Sequence, residues 1–431
     1  MPGLCKGDPR SKAPAVGSAA WVNELGRARR PGPALPAPLL PATLGSSTLS
    51  VHAGSHDDPA TGAVGTPIYQ NSTFVLGADQ YRAIDQGYAR DRFIYTRYGN
   101  PSQWAVQEKI AALEGAESAL VFASGMAAIA ASVLAMLDRG AHVIASRELY
   151  GGTYAFFHHE LPSLGFEVSY VDPRDPNAVR AALRPNTMLL FFEAMTNPLL
   201  NLVDIAAMAA IARAAGAKLI VDATFVSPLG VRALEHGADL VVHSGSKYLN
   251  GHSDLICGAV AGSRKYVDRV WPRLLAYGGC LDPHACFLLE RGLKTLALRM
   301  RAHQDGAIAL ANHLAAHAQV NWLRHSARAD HPDHALATRQ LRQHSGLVAF
   351  AVRGGDAAAL ALLPRLRLMR EATSLGGVET LVSLPFNTSH AAFTAEQRAQ
   401  IGIPPGCVRL SVGIEDPADL IADLDQALAH C

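Results

Sequence analysis

No two of the six cysteines (Cys5, Cys257, Cys280, Cys286, Cys407 and Cys431) form a C-x-x-C pair, and none joins a histidine at zinc-ligand spacing. That removes the structural zinc modules and the dithiol redox motif, so no metal site is expected and the cysteines read as reduced thiols of a cytoplasmic protein. Charge of one sign is missing too: 38 Lys and Arg stand against 37 Asp and Glu. No global field draws such a chain to nucleic acid or to an anionic membrane. Long apolar runs are also lacking. Those at residues 189–192 and 219–221 are of strand length, far short of the roughly 20 residues that span a bilayer. What remains is a 431-residue chain, 49% hydrophobic and 17% charged. It has room for two or three packed domains, and small-molecule chemistry is the expectation.

Residues 1–45 stand apart, rich in Pro, Ala and Gly, with Lys12, Arg27, Arg29 and Arg30 against Asp8 and Glu24. They contain no apolar core of a secretory signal. They read as a disordered extension or as the product of an upstream start codon, with an organellar transit segment as the lesser alternative. From residue 96 onward short apolar strands alternate with helical periodicity, which predicts an α/β domain with a mostly parallel sheet covered on both faces. Strands are expected at 118–122, 142–146, 167–171, 188–193, 218–222 and 240–243. Helices are expected at 126–137, 178–183 and 205–215. One long helix is read over 291–317. A smaller α+β unit follows, with strands at 347–352 and 408–412 and a closing helix at 418–430. The resulting division is an extension over 1–45, an arm over 46–95, a large domain over 96–290 and a small domain over 291–431. The polar, His-rich segment 327–344 is expected to be an exposed loop or helix rim. Glu114, Glu117, Arg299 and Arg301 read as surface charges or intersubunit pairs, and the His331/His334 cluster as solvated.

Four features at predicted strand ends carry chemistry. Lys247 follows the run 240–242 within Ser244-Gly245-Ser246-Lys247-Tyr248. A lysine leaving a buried strand is partly desolvated, which lowers its pKa and favours an imine with an aldehyde, and Ser244 and Ser246 supply donors to a neighbouring phosphate. Asp222 closes the run 218–222, at the edge of a parallel sheet where ligands bind, and is suited to pair with a protonated pyridine nitrogen. Ser124-Gly125-Met126 opens a helix directly after a strand, which makes an anion site of backbone N–H groups. Tyr150 precedes Gly151-Gly152 after another strand, where its ring could stack on a flat cofactor.

These residues, with Tyr95-Thr96-Arg97-Tyr98-Gly99-Asn100-Pro101, Glu193 and Thr196-Asn197-Pro198, Ser374-Leu375-Gly376-Gly377 and Arg409-Leu410-Ser411-Val412-Gly413 in order, resemble the Cys/Met-metabolism family of fold-type I pyridoxal-phosphate (PLP) enzymes. That family holds cystathionine γ-synthases, cystathionine γ- and β-lyases, methionine γ-lyases and O-acylhomoserine sulfhydrylases. The resemblance implies PLP held covalently on Lys247, Asp222 at its ring nitrogen, Tyr150 stacked on the ring and Asn197 at its phenolic oxygen. It implies a phosphate site of Gly125, Met126, Ser244 and Ser246. Tyr95 and Arg97 would reach the phosphate of a neighbouring subunit, in a homotetramer built as a dimer of dimers with shared active sites. Arg409, with Ser374 and Asn197, would grip the substrate α-carboxylate. Lys247, Tyr150 and Asp222 are the catalytic set.

The reaction implied is α,γ-elimination from a γ-substituted amino acid, giving a 2-oxo acid and ammonia. γ-Replacement and cystathionine β-elimination are the alternatives. Three departures bear on substrate. Thr373 and Ala155 stand where cystathionine-handling members commonly carry Glu and Arg, and Gly152 stands where methionine γ-lyases typically carry Cys.

Overall fold

The computed structural model describes residues 44–430 apart from 59, 88, 390 and 392. Nearly all of the expected N-terminal extension, with Cys5, and also Cys431 lie outside the described residues.

Seven strands form the larger sheet: β1 (Ser118–Phe122), β2 (His142–Ser146), β3 (Glu167–Val171), β4 (Thr187–Glu193), β5 (Lys218–Asp222), β6 (Leu240–Ser244) and β7 (Gly258–Gly262). Their order is β1-β7-β6-β5-β4-β2-β3. β2, β3, β4, β5 and β6 pair in parallel, and β7 runs antiparallel to both of its neighbours, β1 and β6. Alternation divides the strands between two cores, as a period of two requires. Phe122, Phe191, Ile220 and Val242 face the helices Gly125–Met136 and Arg264–Tyr277, against Ile129, Val133, Val267 and Trp271. Val121, Phe192, Val221 and Val241 face the helices Pro101–Glu114 and Ile205–Ala214, against Ile110 and Met208. With both faces covered, the central strands are near-continuous apolar runs, and polar residues come only at their ends.

The second sheet holds β8 (Val320–Arg324), β9 (Leu347–Val352), β10 (Arg370–Glu371), β11 (Leu381–Ser383) and β12 (Cys407–Ser411), in the order β10-β11-β12-β9-β8. The helix Pro417–Leu428 packs Leu420, Leu424 and Leu428 into its core with Phe350 and Leu410.

Several expectations change in three dimensions. The single helix read over 291–317 is two, Pro283–Lys294 and Leu296–Ala315. The break at Thr295 is held by the Gly292 carbonyl, which accepts from Thr295 N, from Thr295 Oγ1 and from Arg299 Nη2 at 2.8 Å. Arg299 is therefore no surface charge. It is buried and also donates to the carbonyls of Tyr248 and Leu249, which fastens the chain just beyond Lys247. Burial lowers its pKa to about 10. Glu114 is fully buried as well, with one carboxylate oxygen hydrogen-bonded to His243 Nε2. The segment 327–344 does carry a helix, His334–Gln340, but it is not simply exposed, since it buries His331, Ala337 and Gln340.

Candidate active site

The parallel strands β2, β4, β5 and β6 end together at one edge of the sheet, where Glu193, Asp222 and Ser244 stand and Tyr150 follows. A chain leaving such an edge exposes loop backbone and strand-end side chains to a common space, which is why ligands bind there in open α/β sheets.

Lys247 lies in the turn after β6, with its backbone N–H donating to Ser244 O and its carbonyl accepting from Gly251 N. Its Nζ donates to Ser374 Oγ, a residue 127 positions away on the approach to β11. Burial, assisted by the Arg409 guanidinium, lowers the lysine pKa from 10.5 to about 8, so roughly a tenth of the amine is neutral at pH 7, against well under a thousandth for an unperturbed lysine. Ser374 has φ +90°, a conformation that costs a serine on the order of 1–3 kcal/mol. Its carbonyl accepts from Arg409 Nη2 at 2.8 Å, and Gly376 beside it packs so closely on Tyr248 that a Cβ would lie 2.7 Å from Tyr248 N.

Arg409, on β12, is 7% exposed. Nη1 donates to Asn197 Oδ1 at 2.8 Å, the guanidinium carbon lies 6.0 Å from the Phe225 ring centre, and Nε is buried without a partner. Among the described residues no carboxylate lies within 4 Å of Arg409, although other Lys and Arg side chains do pair with carboxylates, as Arg90 does with Asp268 and Arg398 with Asp356. Burial without a counterion lowers its pKa to about 10. Asn197 is itself buried and precedes Pro198 through a cis bond.

Asp222 is buried, and burial raises its pKa. Two bonds from Thr224, N–H at 2.9 Å and Oγ1 at 2.5 Å, oppose the shift, and so does the charge of His243. Both bonds fall on Oδ1, and Oδ2 takes none among the described residues. Thr224 Oγ1 in turn accepts from Ser244 N at 2.8 Å, so one hydroxyl aligns the strand-end carboxylate with the start of the Lys247 turn. Thr224 and Phe225 were not singled out from sequence. The Asp-x-Thr spacing, which lets a carboxylate bond the chain two residues on, was the available signal for Thr224. Phe225 had none.

Gly125 and Met126 begin the helix Gly125–Met136, capped by Ser124 Oγ on Ala127 N. Their own N–H groups are first-turn donors without intrahelical acceptors. A Cβ on Gly125 would lie 2.9 Å from Ser244 Cβ and 3.1 Å from Ser244 Oγ, so the glycine brings the helix start against the Ser244 hydroxyl. Ser246 is placed differently. Its hydroxyl bridges the Cys257 backbone, accepting from N at 2.9 Å and donating to O at 3.2 Å.

Tyr150 is 53% exposed, leaving a ring face open for stacking, and its N–H donates to Glu193 Oε1 at 2.6 Å. Tyr95 and Arg97 are brought into contact with none of these residues within the chain. Tyr95 is 44% exposed, and Arg97 donates to Leu275 O and lies beside the rings of Tyr95 and Tyr98.

The donor set fits PLP. A helix start and a serine hydroxyl suit a phosphate, a carboxylate oxygen without a bond suits a pyridinium, an open tyrosine ring suits an aromatic face, and an amine of lowered pKa suits an aldehyde. Among the described residues no cluster of His, Cys, Asp and Glu could hold a metal, and no helix is long and apolar enough to cross a membrane.

Gly152 supplies a first test of the site. A Cβ there would sit 2.7 Å from Tyr150 Cε1 and 3.3 Å from Met126 Sδ. Gly152→Ala is expected to move the half-exposed Tyr150 ring slightly and to change kcat by less than about threefold, because the clash falls on the far end of a side chain free to give way, while thermal stability changes little. A loss of kcat of about tenfold or more would show that the ring cannot yield without losing its place.

A family model described as Cys/Met metabolism PLP-dependent enzyme matches residues 47–429. An L-methionine gamma-lyase of Treponema denticola is 40% identical over 391 residues, covering 89% of this chain and 97% of its own. A cystathionine gamma-synthase of Mycobacterium bovis is 40% identical over 385 residues, with the same two coverages. The crystal structure of a cystathionine gamma-lyase from Lactobacillus plantarum complexed with L-serine superposes with TM-score 0.83 at 36% identity, covering 90% of this chain and 99% of that one.

Proposed function

The chain belongs to the Cys/Met-metabolism family of PLP-dependent enzymes, and from that premise we propose that it is a carbon–sulfur γ-lyase. Its reaction would be α,γ-elimination from a γ-substituted amino acid to a 2-oxo acid and ammonia. The observation that carries this reading is the buried Arg409, which lacks a carboxylate partner among the described residues and shares Ser374 with the low-pKa amine of Lys247. An α-amino acid brings the missing carboxylate to the guanidinium and an amine to the lysine end.

Lys247 would hold PLP covalently. Gly125, Met126 and Ser244 would hold the phosphate, with Ser246 shaping the turn, and Asp222 would serve the ring nitrogen and Asn197 the phenolic oxygen. When bound, PLP supplies an aldehyde for the substrate amine and a ring that withdraws electrons from Cα. The chain's own residues do the rest. Arg409 and Asn197 fix the carboxylate and so orient the Cα–H bond. Lys247 Nζ, neutral near its lowered pKa, takes the Cα proton and moves a second at Cβ, with Ser374 Oγ steering it. Tyr150 gives a proton to the leaving sulfur at Cγ.

A second reading, γ-replacement, is favoured by the 40% identity to a cystathionine gamma-synthase. Thr373 and Ala155, neutral where cystathionine-handling members carry charge, support a substrate without a distal amino-acid group. The assembly is a homotetramer with shared sites, supported by the exposed Val64, Val75, Tyr81 and Tyr95 of the 46–95 arm. The location is cytoplasmic, in keeping with the free Cys257, Cys280, Cys286 and Cys407.

The deciding experiment offers methionine, homocysteine, cystathionine and O-acetylhomoserine singly to the PLP-loaded protein, then with cysteine, and follows 2-oxobutyrate. Release without an acceptor is expected. Thioether formation only with cysteine present, and no 2-oxo acid without it, would overturn the lyase in favour of the synthase.

A further inference from the structure

Two buried carboxylates stand side by side at the working edge of the sheet. Glu193 ends β4 and Asp222 ends β5, paired directly in register on neighbouring parallel strands, and strands so paired lie about 5 Å apart. Both side chains point to the sheet face lined by Phe191 and Ile220, because each lies two residues beyond one of these. Glu193 is 5% exposed and Asp222 8%.

Like charges at this separation and depth cannot both be carried, and one carboxyl of such a pair keeps its proton. The surroundings decide which. Asp222 accepts two hydrogen bonds from Thr224 and feels the favourable charge of His243. Glu193 accepts only the neutral Tyr150 N–H and has no Lys, Arg or His nitrogen within 4 Å among the described residues. The other acid facing it, Glu148, is compensated by Arg174 at 3.7 Å and by Asn201 at 3.1 Å. Burial first, and then the Asp222 charge, push the Glu193 pKa well above 4.5.

We propose that Glu193 is a positioning residue that stays protonated, holding the Tyr150 backbone through its carbonyl oxygen and leaving the single negative charge of the pair to Asp222. The role rests on the reading that Asp222 faces the ring nitrogen of PLP. A neutral Glu193 keeps the charge beneath that nitrogen on one carboxylate and fixes the turn that aims the tyrosine. Ionised, it would compete for the same proton and repel Asp222.

The test compares PLP-loaded wild type, Glu193→Gln and Glu193→Leu by infrared difference spectroscopy at neutral pH, with glutamate carboxyls isotopically labelled, alongside kinetics. A protonated glutamate carbonyl band is expected in the wild type and absent in both variants. Glu193→Gln keeps the acceptor without the charge and is expected to stay within about threefold of wild-type kcat, whereas Glu193→Leu orphans the Tyr150 N–H and loses about tenfold or more. Absence of the band, or a Gln variant as impaired as the Leu variant, overturns the proposal. Asp222→Asn separates it from the cofactor reading. An unchanged visible spectrum in that variant overturns the placement of Asp222, whereas the carbonyl band reports the proton on Glu193 by itself.

Discussion

Lys247→Ala is expected to abolish turnover, with the rate of 2-oxo acid release falling by on the order of 10²–10⁴-fold or more, the range of a positioned general base. The amine is singular in its surroundings. It is partly buried, bonded to Ser374 Oγ and shadowed by the Arg409 guanidinium. Both burial and a neighbouring cation disfavour the ammonium, so the pKa falls from 10.5 to about 8. Below about 8 the group is mostly protonated and cannot attack an aldehyde or take a proton, and above it the neutral amine predominates. In the cofactor-free protein, acylation of Lys247, followed on its own peptide, should therefore show a midpoint near 8, as should that of the buried Lys109, whose pKa is also lowered to about 8. Borohydride reduction of the loaded wild type should leave cofactor mass on the peptide containing Lys247 and leave none on the alanine variant. Covalent cofactor on the alanine variant, or a labelling midpoint near 10.5, would remove Lys247 from the centre of the site.

Much of this arrangement was legible before folding because strand-end chemistry is written locally. β1, β2, β3 and β5 occupy the predicted residues, since apolar runs bounded by turns leave little freedom in parallel-sheet strands. The polar residues ending those runs are the ones the edge displays. What escaped notice depends on contacts distant in sequence. β7 is Gly-Ala-Val-Ala-Gly, without the β-branched richness that marks a strand. Its small residues serve a close approach, as at Gly258, where a Cβ would fall 2.2 Å from Ser124 O. Glu114 and Arg299 read as surface charges because a helix sequence does not reveal what covers each face. One is buried against His243 of β6 and the other against carbonyls 50 and 51 positions away. The Arg409–Asn197 contact spans 212 residues, so only likeness to a family could suggest it from sequence.

Arg409→Ala is expected to raise KM by on the order of 10²–10³-fold, corresponding to the roughly 2–5 kcal/mol lost when one partner of a buried charged pair is removed, with PLP affinity nearly unchanged. The missing counterion sets the size of the effect. Burying a guanidinium without an acid costs several kcal/mol, only partly offset by Asn197 Oδ1 and Ser374 O. A substrate carboxylate recovers that cost on binding, so the loss should fall on KM before kcat. The Asn197 and Ser374 contacts come from separate guanidinium nitrogens, leaving the buried Nε among the donors without a protein partner. A lysine at this position would supply charge without the planar fork, so Arg409→Lys should recover only a small part of the loss. Amino-acid substrates should suffer far more than amine analogues without a carboxylate, whose already weak binding Arg409→Ala should leave nearly unaltered. Equal penalties for both classes would mean that Arg409 stabilises the fold around Ser374 rather than gripping the carboxylate. Thermal denaturation of the variant distinguishes these, because a binding residue freed of an uncompensated buried charge should leave Tm unchanged or higher, whereas a structural one should lower it.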